Sequence, residues 1–190
     1  MTIAVIDSTI RKESRTREIM NNVLNHFKDD IDFKIYNINE YELIPTNMSN
    51  FDQKGSEEFF FELSKEIASM DGMIIAAPFW DMTYPALLKV FLEILSIPNV
   101  MFLDGTKEVV GLSNNKFMLF LTTRGLNIET YSKYDGASPS LKALCELWGI
   151  KHFACVGAHN MDYSSPSEIE EKIESTSKEA IAVLNELINK

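Results

Sequence analysis

Along this chain, short apolar runs alternate with stretches whose apolar residues recur every three or four positions. Thr2–Asp7 is branched and apolar and ends in a carboxylate, as a strand buried on both faces would. Arg15–Phe27 then places Ile19, Met20, Val23, Leu24 and Phe27 at helical spacing. Phe33–Ile38 alternates apolar and polar residues and predicts a second strand. Ser56–Met70 carries Phe59, Phe60, Leu63, Ile67 and Met70 on one stripe, with Ser56 and Glu57 suited to a helix start. Gly72–Ala77 is entirely small or apolar and predicts the most deeply buried strand. A helix from Pro85 to Leu95 brings Leu88, Phe91, Leu92 and Leu95 to one face. Its proline is tolerated because first-turn N–H groups have no partner within the helix. Pro98–Ser113, with Asp104-Gly105 between short branched runs, predicts a hairpin or irregular excursion. Lys116–Thr122 predicts a fourth strand, Ala137–Trp148 a helix, Ile150–Gly157 a fifth strand and Pro166–Ile188 a closing helix. Such alternation is the signature of an α/β protein with a parallel sheet covered on both faces. No linker, repeat or low-complexity stretch interrupts it, so residues 1–190 predict a single domain.

Composition narrows the class. A chain of 190 residues buries roughly 70% of its unfolded surface and needs no disulfides to hold a core. Cys145 and Cys155 form no CxxC or metal spacing and sit among apolar neighbours, which predicts buried thiols. With 28 acidic against 18 basic side chains, the net charge of −10 repels a polyphosphate backbone and argues against nucleic acid as a partner. No apolar run approaches the ~20 residues of a membrane span. The N-terminus, Met1-Thr2-Ile3-Ala4-Val5-Ile6-Asp7, lacks the basic flank and cleavage site of a signal peptide. A cytoplasmic location without membrane contact is expected. Among the titratable residues, His26 and His152 are expected to be structural or solvated. His159, after the last strand, is the histidine placed to face a ligand, although a structural role is the simpler reading. Asp7 is expected to serve a turn or cap, and Glu168–Glu174 to form a solvated helix face with Ser167 near its start. The nine methionines are spread along the chain and form no metal set.

In a sheet of this kind ligands bind beyond the carboxyl ends of the strands, where strand order reverses. Three loops therefore matter: 7–16, 78–84 and 122–136. The first lacks both GxGxxG and GxxxxGK[ST]. From Ser8 to Arg17 it offers four hydroxyls and four of the chain's 18 cations as it opens a helix. Free N–H groups and a partial positive charge at a helix N-terminus suit a phosphate. Equally, Ser14 and Thr16 could simply cap the helix while the basic residues are solvated. In the second loop, Pro78-Phe79-Trp80-Asp81-Met82-Thr83-Tyr84-Pro85, two prolines stiffen a segment holding three aromatics. It can supply apolar walls and in-plane N–H groups to a planar heterocycle, or it can be a packed loop closing the core. The third loop opens with Thr122-Thr123-Arg124-Gly125, where glycine permits close backbone approach and Arg124 offers charge to an electron-rich ring.

Together these loops resemble the FMN-dependent NADH-azoreductase and NAD(P)H:quinone reductase group of flavodoxin-like proteins. Thr9-Ile10-Arg11-Lys12-Glu13-Ser14-Arg15-Thr16 is similar to the family's SxRxxSxT phosphate loop, and Ala76-Ala77-Pro78-Phe79-Trp80-Asp81-Met82 resembles its AAPMYNF-type segment. Thr123-Arg124-Gly125 stands where the family has Ser-Arg-Gly-Gly, and Gly149-Ile150 opens the last strand as there. The resemblance implies a flavodoxin-like five-stranded parallel sheet, order 2-1-3-4-5, with helices on both faces. It implies that Thr9 (or Ser8, given one position of slack), Ser14, Arg15 and Thr16 bind the FMN phosphate. It further implies that Pro78, Phe79, Trp80, Asp81 and Met82 follow the ring edge, with Thr123, Arg124 and Gly125 on its pyrimidine side. Two residues depart from the family: Asp81 replaces its usual Asn, and Leu126 its second Gly. The Asp81 carboxylate is expected to turn to solvent or to pair with a cation such as Arg124.

The implied activity is ping-pong hydride transfer from NADH or NADPH, through FMN, to a quinone, azo compound or other small aromatic acceptor. The flavin carries the chemistry, so no protein residue is expected to be catalytic, and no metal is implied. A homodimer is expected, because Trp80, Met82, Met101, Phe102 and Tyr131 fall in loops where isolated domains place polar groups. The rival is a flavodoxin-type electron carrier without its own NAD(P)H oxidation. The acidic surface suits that role, but the first loop lacks the Gly-Asn-Thr of such carriers. A flavin-free phospho-receiver ranks behind both, since Asp7 alone falls short of an acidic cluster for Mg²⁺.

Overall fold

Where small and branched residues follow one another without a polar face, the strand must be buried on both sides, and that requirement organises the whole molecule. In this computed structural model, which describes residues 1–46, 49 and 58–190, five strands form one sheet. They are β1 (Thr2–Asp7), β2 (Asp32–Asn37), β3 (Gly72–Ala76), β4 (Phe117–Thr123) and β5 (His152–Ala158). Their spatial order is β2-β1-β3-β4-β5 and every neighbouring pair is parallel. The helices are α1 (Arg15–Phe27), α2 (Glu58–Ala68), α3 (Ala86–Leu95), α4 (Ala137–Trp148) and α5 (Pro166–Ile188).

Successive strand residues feed two cores. Ile3, Val5, Ile74, Leu119 and Leu121 pack against Met20, Val23 and Leu24 of α1 and Ala180 and Leu184 of α5. Ala4, Ile6, Met73, Ile75 and Phe120 face the other way, onto Leu63 and Ile67 of α2, Leu88 and Phe91 of α3, and Leu141 and Trp148 of α4. Each buried large side chain contributes about 1.5–3 kcal/mol, so the central strands anchor everything around them. The helix start expected at Ser56 and Glu57 lies outside the described residues. Of the expected α2 stripe, Phe60, Leu63, Ile67 and Met70 are buried, whereas Phe59 is exposed, its ring tilted 45° to that of Tyr41.

Several strand boundaries differ from expectation by one or two residues, and at β5 the reason is local. β5 begins at His152 rather than Ile150, because the Ile150 N–H bonds back to the Cys145 carbonyl at 2.8 Å. That bond closes the end of α4, whose cap Gly149 has φ 82°. α5 spans Pro166–Ile188 as expected, and Ser165 caps it through a reciprocal capping box with Glu168, so part of the acidic run serves a cap. The 98–113 excursion pairs loosely with itself, through Leu103 N–H to Val110 O at 2.8 Å and Leu112 N–H to Met101 O at 2.9 Å.

The connection from β1 leads to β2 on one side, and the chain then returns to β3 on the other side of β1. The divergence opens a crevice at the carboxyl ends of β1 and β3, the usual ligand position in open α/β sheets.

Candidate functional site

The loop after β1 is held from within. Asp7 is buried, and its Oδ1 accepts the Thr9 N–H at 2.8 Å and the Thr9 hydroxyl at 2.5 Å. Its Oδ2 pairs with Arg17 Nε at 3.2 Å, while the same guanidinium donates to Thr9 O at 2.6 Å and Arg11 O at 3.3 Å. Asp7 is thus a turn-forming residue, as expected. Ser14 caps α1 by accepting the Arg17 N–H at 3.2 Å. Thr16 is fully buried, and its hydroxyl shares a 2.7 Å hydrogen bond with that of Thr123, tying α1 to the end of β4. Among the described residues, the backbone N–H groups from Ile10 to Thr16 carry no hydrogen bond. Unbonded N–H groups at the positive end of a helix dipole form an anion cradle.

The loop after β3 is a tight hairpin. Trp80 and Thr83 exchange both backbone hydrogen bonds at 2.8 Å, with Asp81 (φ 48°) and Met82 (φ 66°) between them. Positive φ at both central residues is the I′ geometry. Asp tolerates it through its short polar side chain, whereas Met pays roughly 1–2 kcal/mol for it. The Gly136 N–H fixes the turn by donating to Met82 O at 2.8 Å. The Asp81 and Met82 side chains are exposed.

The loop after β4 contributes Thr123 and Gly125. The Arg124 guanidinium does not face the crevice; it is fully buried. Asp135 Oδ2 accepts from it at 3.4 Å, Ile128 O at 2.8 Å and the Thr130 hydroxyl at 3.2 Å, which together draw it inward. Since Arg124 is committed to Asp135, the Asp81 carboxylate takes the solvent-turned arrangement. Burial alone would raise the Asp135 carboxyl, but hydrogen bonds from Ser138 and Tyr131 and the Arg124 charge hold it below the usual carboxylate range. Burial pushes the Cys155 thiol up, and that of Cys145 to about 12. Cys145 is buried as expected, and Cys155 is half-buried. Desolvation and the nearby Arg124 charge lower His159.

A fourth loop, after β5, completes the rim. Arg15 Nη1 donates to Met161 O at 3.1 Å and lies 3.6 Å from Asp162 Oδ1. The Asp162 N–H donates to Gly125 O at 3.1 Å, and a Cβ on Gly125 would collide with the Asp162 carboxylate. A side chain at 125 would push the exposed Asp162 carboxylate away from Arg15.

These loops enclose a cavity of about 880 Å³, lined by Ser14, Arg15, Pro78, Phe79, Trp80, Thr123 and Gly125 together with Arg11, Lys12 and Asp162 among others. A second, of about 380 Å³, adjoins it and shares Arg11, Phe79, Trp80, Gly125 and Asp162; Asp81, Met82, Leu126 and Ile128 complete its wall. Such volumes suit a cofactor-sized ligand. Ser8, Thr9, Thr16 and Arg124 stand behind the cavity walls and hold the loops that form them. His159 does not line either cavity. Met161 and Asp162 were missed in the sequence because the loop after the last strand carries no motif. Its position at a strand's carboxyl end was the available signal.

The family model described as "Flavodoxin-like fold" matches residues 1–184, and the chain belongs to that family. Among its relatives is the FMN-dependent NADH:quinone oxidoreductase 2 of Clostridium perfringens (strain 13 / Type A), 27% identical over 185 residues. That match covers 96% of this chain and 89% of the relative. The FMN-dependent NADH:quinone oxidoreductase of Clostridium perfringens strain ATCC 13124 is 28% identical over 132 residues, 70% of this chain and 66% of that protein. An azoreductase from Bacillus anthracis (Sterne) superposes with TM-score 0.82 at 16% identity, covering 98% of this chain and 99% of its own. An FMN-dependent NADH-azoreductase from Bacillus anthracis (Ames Ancestor), solved in complex with FMN, gives 0.80 at 16% identity, with 96% and 99% covered. At that identity the likeness establishes a shared fold.

Proposed function

We propose that this chain is an FMN-dependent NAD(P)H oxidoreductase that reduces quinones, azo compounds or other aromatic acceptors. The carrying observation is the cradle of unbonded N–H groups at the start of α1, which opens directly onto a ring-sized cavity walled by Phe79 and Trp80. A dianionic phosphate joined to a planar heterocycle matches both halves. The names of the Clostridium relatives support the same reading.

In this reading Ser14, Arg15 and the N–H groups from Ile10 to Thr16 hold the phosphate. Ser8, Thr9 and Thr16 shape the loop from behind. Pro78, Phe79, Trp80, Asp81 and Met82 line the ring, with Thr123 and Gly125 across from them. Bound FMN supplies two-electron redox chemistry, so no side chain has to act as acid, base or nucleophile. The protein's tasks are to orient the ring, leave one face open and admit nicotinamide and acceptor in turn, which gives ping-pong kinetics.

The reading takes residues 1–190 as one domain working as a cytoplasmic homodimer. Exposed Trp80, Met82 and Leu126 beside the cavities support an interface there, and Tyr131 is exposed on the loop after β4. Met101, by contrast, is a core residue. No helix among the described residues is long and apolar enough to cross a membrane. Sedimentation of the active protein as a monomer at micromolar concentration would remove the dimer.

The purified protein should show a flavin spectrum and oxidise NADH or NADPH steadily with a quinone. A flavin-bound protein that reduces no quinone with either nucleotide would favour the electron carrier instead. A protein that binds no FMN would refute both.

A further inference from the structure

The most deeply buried charge in the described structure touches both walls of the ring-sized cavity without entering it. The Arg124 guanidinium lies over the Phe79 ring, 5.0 Å from its centroid. From the same group, Nη1 donates to Ile128 O at 2.8 Å. Phe79 belongs to the loop after β3 and Ile128 to the loop after β4, and both line the 380 Å³ cavity. The backbone reinforces the bridge: the Phe79 N–H donates to Thr123 O at 3.1 Å, and the Met161 N–H to Arg124 O at 3.0 Å. Asp135 anchors the far side. Its Oδ2 accepts from Arg124 and from the Tyr131 N–H at 2.8 Å, and its Oδ1 accepts the Ala137 and Ser138 N–H groups at 3.1 Å at the start of α4.

We infer that Arg124, locked by Asp135, is a positioning residue that sets the spacing of the Phe79 and Ile128 walls and thereby the affinity for the cofactor's ring. This rests on the flavin reading above. A flat guanidinium stacks on an aromatic face while donating in its own plane to several acceptors at fixed spacing. A lysine ammonium offers three donors from one point and cannot span the same partners. The phosphate cradle lies on the other loop, with Asp7, Arg17 and Ser14, and shares no side chain with this lock. Ring affinity and phosphate affinity are therefore separable.

The test compares FMN with riboflavin, which keeps the ring and lacks the phosphate, by titrating flavin fluorescence against flavin-free protein. Arg124→Lys keeps the buried charge balanced. Arg124→Met with Asp135→Asn removes both charges together and leaves neither unpaired. Each is expected to weaken FMN and riboflavin by the same factor, tenfold or more, leaving the ratio of the two dissociation constants within twofold of wild type. A purely structural role would lower the unfolding temperature and leave the affinities of the folded protein unchanged. The proposal is overturned if either folded variant binds both flavins within twofold of wild type, or if the loss is confined to FMN. Wild-type protein that binds neither flavin would instead remove the flavin reading, and this proposal with it.

Discussion

Ser14 holds two roles that substitution can separate. Its hydroxyl oxygen accepts the Arg17 N–H at 3.2 Å, which caps α1, and its proton remains available to an anion in the cradle. Ser14→Ala removes both. Loss of a cap costs about 1 kcal/mol, which lowers the unfolding temperature of a chain this long by roughly 2–4 °C. Loss of a hydrogen bond to a charged oxygen costs about 1.5–3 kcal/mol, or roughly ten- to 150-fold in FMN affinity. Ser14→Asp separates the two effects. Aspartate caps as well as serine and suits the helix dipole, so the flavin-free protein should unfold at the wild-type temperature or slightly above it. The same carboxylate repels the phosphate by about 3 kcal/mol per phosphate charge at ~5 Å and an effective dielectric of ~20, an upper range that water and the neighbouring cations reduce. FMN affinity should therefore fall further than in Ser14→Ala, while riboflavin binds all three proteins alike. Calorimetry of the flavin-free proteins and flavin titrations supply the two readouts. If Ser14→Asp keeps FMN within threefold of wild type, the cradle does not hold the phosphate.

Thr16→Ala should act differently, because the buried Thr16 hydroxyl meets Thr123 rather than the cavity. About 1 kcal/mol of stability is expected to go, with a much smaller loss of FMN affinity than in Ser14→Ala; equal losses in titration would contradict this. Asp81→Asn should shift the flavin midpoint potential by less than about 30 mV, since the carboxylate is turned to solvent and 30 mV corresponds to ~1.4 kcal/mol for a two-electron couple. Potentiometry showing a larger rise would place the charge on the ring. His159 sits below its ordinary value of 6.5 in the fold, so the unfolded chain binds the proton more readily. Its contribution to stability is present above that value and is lost as pH falls from 6.5 through the lower folded value. His159→Gln should flatten the decline of unfolding free energy between about pH 7 and pH 5, and an unchanged slope in urea titrations would show that another group causes it.

The sheet was legible because burial on both faces leaves a plain mark: Gly72–Ala76 and Phe117–Thr123 contain nothing a solvent-facing strand would need. The helices were legible from spacing, and Arg15–Phe27 begins and ends where Ser14 and the last buried aromatic, Phe27, place it. Side-chain direction within the loops was not legible. Arg124 is turned inward by Ile128 O and the Thr130 hydroxyl, and by Asp135 eleven residues on at the start of α4, and no motif marks these partners. The same holds for Asp162, which reaches the rim through a hydrogen bond to Gly125, far earlier in the chain. Motifs locate loops; the ion pairs that orient their side chains are tertiary.

The two departures from the family pattern become intelligible on the same geometric grounds. Position 81 needs a residue that accepts positive φ at the tip of a two-residue turn, and Asp meets that need for the same reason Asn does. The backbone demand is satisfied while the side-chain charge is left to solvent. At position 126 the demand is absent: Leu126 is not among the residues with positive φ, so glycine is not required there for conformation. Its side chain instead extends the apolar wall of the smaller cavity beside Met82 and Ile128. Opposite Gly125 stands the exposed Asp162 carboxylate, which a side chain at 125 would push aside toward solvent. Substitution in this loop is therefore limited by what stands opposite each position, and a family pattern tolerates change wherever the backbone is ordinary and the facing space is open.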